Sequence, residues 1–227
     1  LLSYKMTDYI QHPNLTFSEE QHEYRWNDRP VPSVTQIFDK IGYRKNDKAH
    51  WNPIGCPDFC KSKHDSDFGS AFHILPEARI KGFELELPEE MKPWNEKVLR
   101  FFDKYQPVSL FDVKGNYICE YPMYSEVNQF CGTPDYMFMN IKENVIWLVD
   151  WKTATQYQKC FTWQTAGYEK LVREVHGGNI FGKRDKIVRA TVLFTADKKD
   201  PEVIKRENCP EDHIAFSSIL NTFKLVA

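Results

Sequence analysis

The sequence predicts an α/β fold with a central mixed sheet flanked by helices, and two observations predict it. The apolar spacing changes character along the chain: a helical stripe over 94–105, strand-like stretches over 117–124, 132–140 and 145–151, a helical stretch over 162–175, and a last strand over 187–194. The composition supplies the core that such a fold needs. Of 227 residues, 41% are apolar and 15% aromatic against 27% charged, which excludes a long disordered or collagen-like chain.

Taken in order, the elements have local causes. Before Trp26, apolar and aromatic residues alternate; Asn27-Asp28 makes a turn, and Pro30 and Pro32 punctuate the return, so a short hairpin is expected. Ser33 is placed to cap a helix running through Ile37. Asp67 is the expected N-cap of a helix through Phe68, Phe72 and Leu75, which Pro76 should end or kink for want of an amide hydrogen. Trp94, Val98, Phe101 and Phe102 share one helical face, ended by Pro107, and the helix over 162–175 is expected to stop at Gly177-Gly178. No repeat or long linker interrupts the chain. It reads as one domain over 1–227, with an N-terminal hairpin and channel segment at 1–66, a core at 67–195 and a C-terminal extension at 196–227.

Charge and cysteines narrow the class. Thirty Lys and Arg against 32 Asp and Glu give a net charge of -2, which argues against a whole-surface nucleic-acid binder but leaves room for a local basic groove. Six basic residues against two acidic ones lie over 40–63, and eight against four over 183–206, each otherwise readable as a solvated face. The longest uncharged apolar run is a few residues and LLSYKMTDYI has no secretory apolar core, so an intracellular, cytoplasmic protein without a membrane partner is expected. The six cysteines are scattered and expected as free thiols. Cys56, Cys60 and His64 have helical ligand spacing, but Gly55 and Pro57 oppose that helix and no fourth ligand is near, so zinc is not expected.

The candidate site comes from register. Val145-Ile146-Trp147-Leu148-Val149 is apolar on both faces, as in an interior strand, yet runs straight into Asp150-Trp151-Lys152. Alternation puts Asp150 and Lys152 on one face. If Ile141-Lys142-Glu143-Asn144 is a hairpin loop, Asn140 faces Val145, Met139 faces Ile146, Phe138 faces Trp147, and Asp135 reaches Asp150. Two carboxylates so placed, with Cβ atoms about 4.5–5.5 Å apart, repel. A divalent cation between them resolves the repulsion, with Lys152 beside it to orient a water or help deprotonate it. A one-residue slip would separate the acids, and a solvated hairpin end with Asp150 paired to Lys152 is the other reading. The flanking Trp-Leu-Val run and the facing Asp135 favour the cation.

These residues resemble the PD-(D/E)XK nuclease superfamily in its RecB-like exonuclease branch. Gly132-Thr133-Pro134-Asp135, Asp150-Trp151-Lys152 and Gln164-Thr165-Ala166-Gly167-Tyr168 match, in order, that branch's G-x-x-D, D-x-K and Q-x-x-x-Y motifs. Gly69-Ser70-Ala71-Phe72-His73 resembles its upstream G-x-x-x-H helix, and Glu120 stands where the branch often has a glutamate. Val31-Pro32-Ser33-Val34-Thr35 is similar to a segment of phage-encoded members and of mitochondrial genome maintenance exonucleases. The resemblance implies a restriction-endonuclease-like three-layer core. It also implies Mg2+ or Mn2+ held by His73, Asp135, Asp150 and the main-chain carbonyl of Trp151, with Lys152 positioning the attacking water.

Several roles stay open between chemistry and structure. Glu120 is a further metal ligand or an edge-strand charge; Gln164 contacts the lysine or DNA backbone, and Tyr168 touches DNA or only packs. Ser33 and Thr35 either bond phosphates near a helix N-terminus or simply cap it. Arg44, Lys45, Lys61 and Lys63, interleaved with aromatics, are candidates for a strand-binding channel. With only Cys209 after Cys160, the four-cysteine iron–sulfur cluster of some members is not expected. The function expected is metal-dependent DNA hydrolysis, foremost by a stand-alone exonuclease acting on ends or single strands in recombination, replication or repair. A structure- or site-specific endonuclease, or a non-cleaving DNA-binding derivative, is the alternative, and a homo-oligomer or a protein partner is compatible with each.

Overall fold

Turn chemistry and alternation account for most elements of the structure, a computed structural model that describes residues 4–5, 13–18, 23–41, 65–112, 114–175 and 186–226. After β1 (Tyr4–Lys5) comes an antiparallel meander of β2 (Leu15–Ser18), β3 (Glu23–Trp26) and β4 (Arg29–Val31), one strand more than the expected hairpin. Asn27 and Asp28 form the β3–β4 turn with φ of 48° and 63°, the double left-handed backbone that a two-residue hairpin requires. Pro30 is accommodated because β4 is an edge strand. Helix α1 (Val34–Lys40) starts at Ser33: the Gln36 amide donates to the Ser33 hydroxyl (3.2 Å) and the Ser33 amide to the Gln36 side chain (2.9 Å), a reciprocal cap.

Helix α2 (Asp65–Lys81) is not ended by Pro76: it passes through that residue and ends five residues later. Proline removes one amide donor, but Phe68, Phe72, Leu75 and Ile80 are anchored in the core on both sides of it, and that packing outweighs the missing bond. A short 3-10 turn at Glu89–Met91 leads into α3 (Lys92–Tyr105), which stops at Gln106 (φ 45°) just before Pro107.

Strands β5 (Val108–Phe111), β6 (Met123–Ser125), β7 (Phe130–Gly132), β8 (Tyr136–Asn140) and β9 (Val145–Lys152) follow. Here two expected strands are broken. The stretch 117–124 makes only single bridges at Tyr117 and Cys119 before Glu120 turns left-handed (φ 48°), and 132–140 is interrupted at Thr133–Asp135, where Pro134 has no donor for a ladder. Helix α4 (Lys159–Val175) then crosses over to β10 (Ile187–Leu193), parallel to β9, before β11 (Glu202–Arg206) and α5 (Pro210–Val226). The stop expected at Gly177-Gly178 lies outside the described residues.

The main sheet has the order β1-β5-β8-β9-β10-β11, with β1/β5 and β9/β10 parallel and the rest antiparallel, so it is mixed as expected. Alternation along β9 divides two cores. Val145, Trp147, Val149 and Trp151 pack toward α2 and α3, while Ile146 and Leu148 pack toward α1, α4 and α5. The segment after 196 is built into this frame: β11 pairs with β10, and Phe216 of α5 lies so close to Gly167 that a Cβ there would come within 2.7 Å of its ring. Among the described residues no helix is long and apolar enough to cross a membrane, and Cys119, Cys131, Cys160 and Cys209 are free thiols.

One buried cation ties the α4 side together. Arg189 in β10 is 1% exposed; it donates to the Thr162 carbonyl (3.0 Å) and pairs with Glu169 (3.0 Å) and Asp212 (2.8 Å), joining α4, β10 and α5. Replacing it takes the buried partner from two acids, leaving Glu169 to Arg173 and His213 and Asp212 to Arg206. Arg189→Ala is therefore expected to destabilise the fold by about 3–5 kcal/mol, read as a shift of the urea midpoint.

Candidate metal centre

The site grows from the β8–β9 register. Asn140 pairs with Val145, Met139 with Ile146 and Phe138 with Trp147, as the loop count predicts, and the ladder continues to Tyr136 and Val149. One step further, Asp135 has left the strand, and its side chain reaches across: the Trp151 amide donates to its Oδ2 at 2.6 Å. Pro134, by ending the ladder, frees Asp135 to do so. Asp150 lies on the same face, behind Ile146 and Leu148, and is fully buried.

Two ligand-type side chains, His73 and Glu120, converge on Asp135. His73 Nδ1, from α2, is 3.0 Å from Glu120 Oε1 and 3.7 Å from Asp135 Oδ1, and one ligand atom of each lies within 4.8 Å of the others. Burial opposes protonation of His73, but the Asp135 charge and the Glu120 hydrogen bond prevail and hold its pKa up at about 9. Asp135 itself is pushed up to about 6 by burial, with His73 opposing.

Asp150 stands beside this group and is turned toward Lys152, whose Nζ is 2.8 Å from Oδ1 and 2.7 Å from Oδ2. Burial pushes its pKa up to about 6 even so, because Lys152 only partly offsets the lost hydration. Oδ2 has the lysine charge nearby but no aligned hydrogen bond, so a buried oxygen lone pair is left over. Lys152 is held from below by the Phe161 ring, 5.5 Å from Nζ. Strand amides and carbonyls of one residue point to one side; the Trp151 carbonyl therefore shares the side of its amide, the side Asp135 occupies, whereas the Lys152 carbonyl accepts from Phe194 (2.8 Å). Carboxylate and carbonyl oxygens with one imidazole form a donor set suited to Mg2+ or Mn2+, and the unsatisfied Asp150 oxygen and the two burial-strained acids fit such an ion.

Behind the carboxylates, Gln164 donates to the Tyr168 hydroxyl (2.9 Å), and both are buried. Burial first, then the charges of Asp150 and Asp135, hold that hydroxyl's pKa well above its usual range. The G-x-x-D glycine has its reason here: a Cβ at Gly132 would lie 2.9 Å from the Tyr168 ring and 3.0 Å from Leu171. Gly69 is different, with only Thr153 Oγ1 at 3.8 Å.

The remaining expected residues fall into two groups. Ser33 caps α1 and shares a 3.0 Å hydrogen bond with Thr35, beside Cys131 of β7, and neither belongs to the ligand group. Arg44, Lys45, Lys61 and Lys63, like Cys56, Cys60 and His64, lie outside the described residues.

Sequence reasoning overlooked how Glu120 is held. Asp112, fully buried, accepts from the Lys114 amide (2.9 Å), the Asn116 amide and side chain (2.8 Å each) and the Tyr121 hydroxyl (2.9 Å). Burial acts the other way, but these bonds keep its carboxyl below the usual range. Tyr121 is thereby fixed, and its neighbour Glu120 is held left-handed with its amide on the Asp135 carbonyl (3.0 Å). The Asp-x-Lys-Gly-Asn spelling of a side-chain-capped turn was the available signal.

Two outcomes are expected. Gly132→Ala should cost about 1–3 kcal/mol and distort the site, whereas Gly69→Ala should leave thermal stability equal or higher, a contrast read in paired melting curves. Tyr121→Phe, which keeps the ring, should weaken Mn2+ binding about tenfold by calorimetric titration, with the fold unchanged by circular dichroism.

No family model and no curated protein matches this chain. Among solved structures it is similar to LHK-Exo in complex with dAMP, at 11% identity and a TM-score of 0.38, covering 86% of each chain. It is also similar to a candidate exonuclease from Eubacterium rectale, at 15% identity and a TM-score of 0.36, covering 85% of this chain and 72% of that one.

Proposed function

We propose that this protein is a divalent-cation-dependent deoxyribonuclease of the PD-(D/E)XK type that hydrolyses phosphodiester bonds, acting as an exonuclease on DNA ends or single strands. The observation that carries the reading is the meeting of Asp135, Asp150 and Lys152 at the broken end of β8, with His73 and Glu120 closing on Asp135. A structural salt bridge needs one acid and one base. This site gathers three acids, and an unsatisfied carboxylate oxygen remains.

Each side chain has a task that its surroundings support. His73, Glu120, Asp135, Asp150 and the Trp151 carbonyl are the residues that would hold the ion. When bound, the cation supplies Lewis acidity toward a phosphate oxygen and raises the acidity of a nearby water. Asp150 orients Lys152, and Phe161 beneath it restricts where the ammonium reaches. The Lys152 charge is thereby aimed at the place where negative charge develops on the scissile phosphate, and its protons are at hand for the water or the phosphate oxygen. Gln164 holds the Tyr168 hydroxyl, which lies within the field of Asp150 and Asp135. The motifs Gly132-Thr133-Pro134-Asp135 and Gln164-Thr165-Ala166-Gly167-Tyr168 support the family reading by packing on one another through Gly132 and the Tyr168 ring.

End-labelled duplex and single-stranded DNA, incubated with Mg2+ or Mn2+, test this. Wild type is expected to release short products only when cation is added. Asp150→Ala should lose at least about a hundredfold in rate, and Lys152→Ala a comparable factor while still binding DNA in a mobility shift. Equal slow degradation by wild type and Asp150→Ala would remove the catalytic reading. Cleavage of closed circles would replace the exonuclease with an endonuclease.

A further inference from the structure

The meander β2-β3-β4 is a sheet separate from the main one, with its own small core of Leu15, Val31 and Cys131. It is attached at the metal centre's own loop. The Tyr24 hydroxyl shares a 2.6 Å hydrogen bond with Thr133 Oγ1, two residues before Asp135, and the Cys131 amide donates to the Pro32 carbonyl at 2.9 Å. Burial, with smaller contributions from Glu120 and Asp135, lifts the Tyr24 pKa to about 12, so its hydroxyl stays protonated beside the site.

Two residues along β3, on the same face as Tyr24, stands Trp26. Its indole stacks on Tyr124 of β6, with ring centroids 4.2 Å apart and planes 25° apart. The pair forms the wall of a pocket of about 620 Å³ that also takes in Asn27, Arg29, Glu126 and Gln129. Two strand residues span about 7 Å, which is about two steps of a stacked nucleotide strand. Aromatic surface, an exposed cation and two amides in one pocket, on a sheet tied through Tyr24 to the loop that carries Asp135, form a combination suited to a base and its flanking phosphate. Glu126 is the one acid among the described residues that line the pocket, and it disfavours a ligand that is phosphate alone.

We propose that the Trp26–Tyr124 pocket is a substrate subsite that takes one nucleobase of a single-stranded segment whose scissile phosphate lies at Asp135 and Asp150. Trp26 and Tyr124 provide the stacking surface, Asn27 and Gln129 meet the base edge, and Arg29 meets the neighbouring phosphate. Tyr24 and Thr133 connect this subsite to the metal centre. The inference rests on the nucleic-acid reading above and adds where the strand runs.

The test uses the whole protein with Mg2+ and single-stranded oligonucleotides carrying one abasic position at successive distances from the cleaved bond. For wild type, kcat/KM should fall about tenfold at one fixed position relative to that bond. Trp26→Ala should lose about tenfold on the intact strand and nothing further on the strand abasic at that position. Arg29→Ala, a change at an exposed side chain, should flatten the dependence of log KM on log salt by about one unit. Multiplying losses for Trp26→Ala and the abasic strand, or no loss in Trp26→Ala together with an unchanged salt slope in Arg29→Ala, would overturn the subsite. A wild type that cleaves no nucleic acid at all would instead overturn the nuclease reading.

Discussion

Everything at this site follows from the burial of two carboxylates near one another, Asp150 at the end of β9 and Asp135 just before β8. At about 5 Å and an effective dielectric constant near 20, two unit charges repel by roughly 3 kcal/mol. That is a large share of the 5–15 kcal/mol by which an ordinary domain is stable. Asp135 and Asp150 can lie there together only because positive charge is drawn in from three directions: His73 from α2, Lys152 from β9, and the Trp151 amide from the backbone. The break in β8 at Pro134 makes the arrangement possible, since a continuous ladder would have held Asp135 in strand geometry.

Precision at the carboxylates depends on what stands behind them. Helix α4 carries Gln164 and Tyr168 to the site on one side and Glu169 to Arg189 on the other. The same helix is pressed against α5 through Gly167 and against the site loop through Gly132, two places where even a methyl group would intrude. The buried ion network around Arg189 and the site therefore share one rigid body, although no side chain of the first reaches the second. A change at Arg189 would be felt at the site as displacement of α4.

How much of this was readable in the sequence depended on the range of the interactions. The β8–β9 register was readable as far as Tyr136 and Val149 because side-chain alternation and a four-residue loop determine it locally, but the ladder stops there, and Asp135 turns to the Trp151 amide instead of pairing with Asp150. The Asn27-Asp28 turn and the Ser33 cap were readable for the same reason. Pro76 misled because local propensity opposed a helix that tertiary packing of Phe72 and Ile80 enforces. Glu120 looked like a strand residue, and its left-handed backbone is imposed from outside, through Tyr121, by a buried aspartate eight residues upstream. Nothing in a short window reports that constraint, and the alternation of aromatics in the meander gave no sign that Tyr24 would reach Thr133.

The contact between Lys152 and Asp150 bears on how the fold forms. With its ammonium within 2.8 Å of both carboxylate oxygens, the lysine serves as an internal counter-ion. Small zinc domains lack one and stay unfolded until their metal arrives. Here the chain carries its own provisional positive charge to the most repulsive point of the fold, so folding can be completed in the absence of any ion. In the reading proposed above, a cation would then enter a finished structure, with Lys152 held beside it by Asp150 and Phe161.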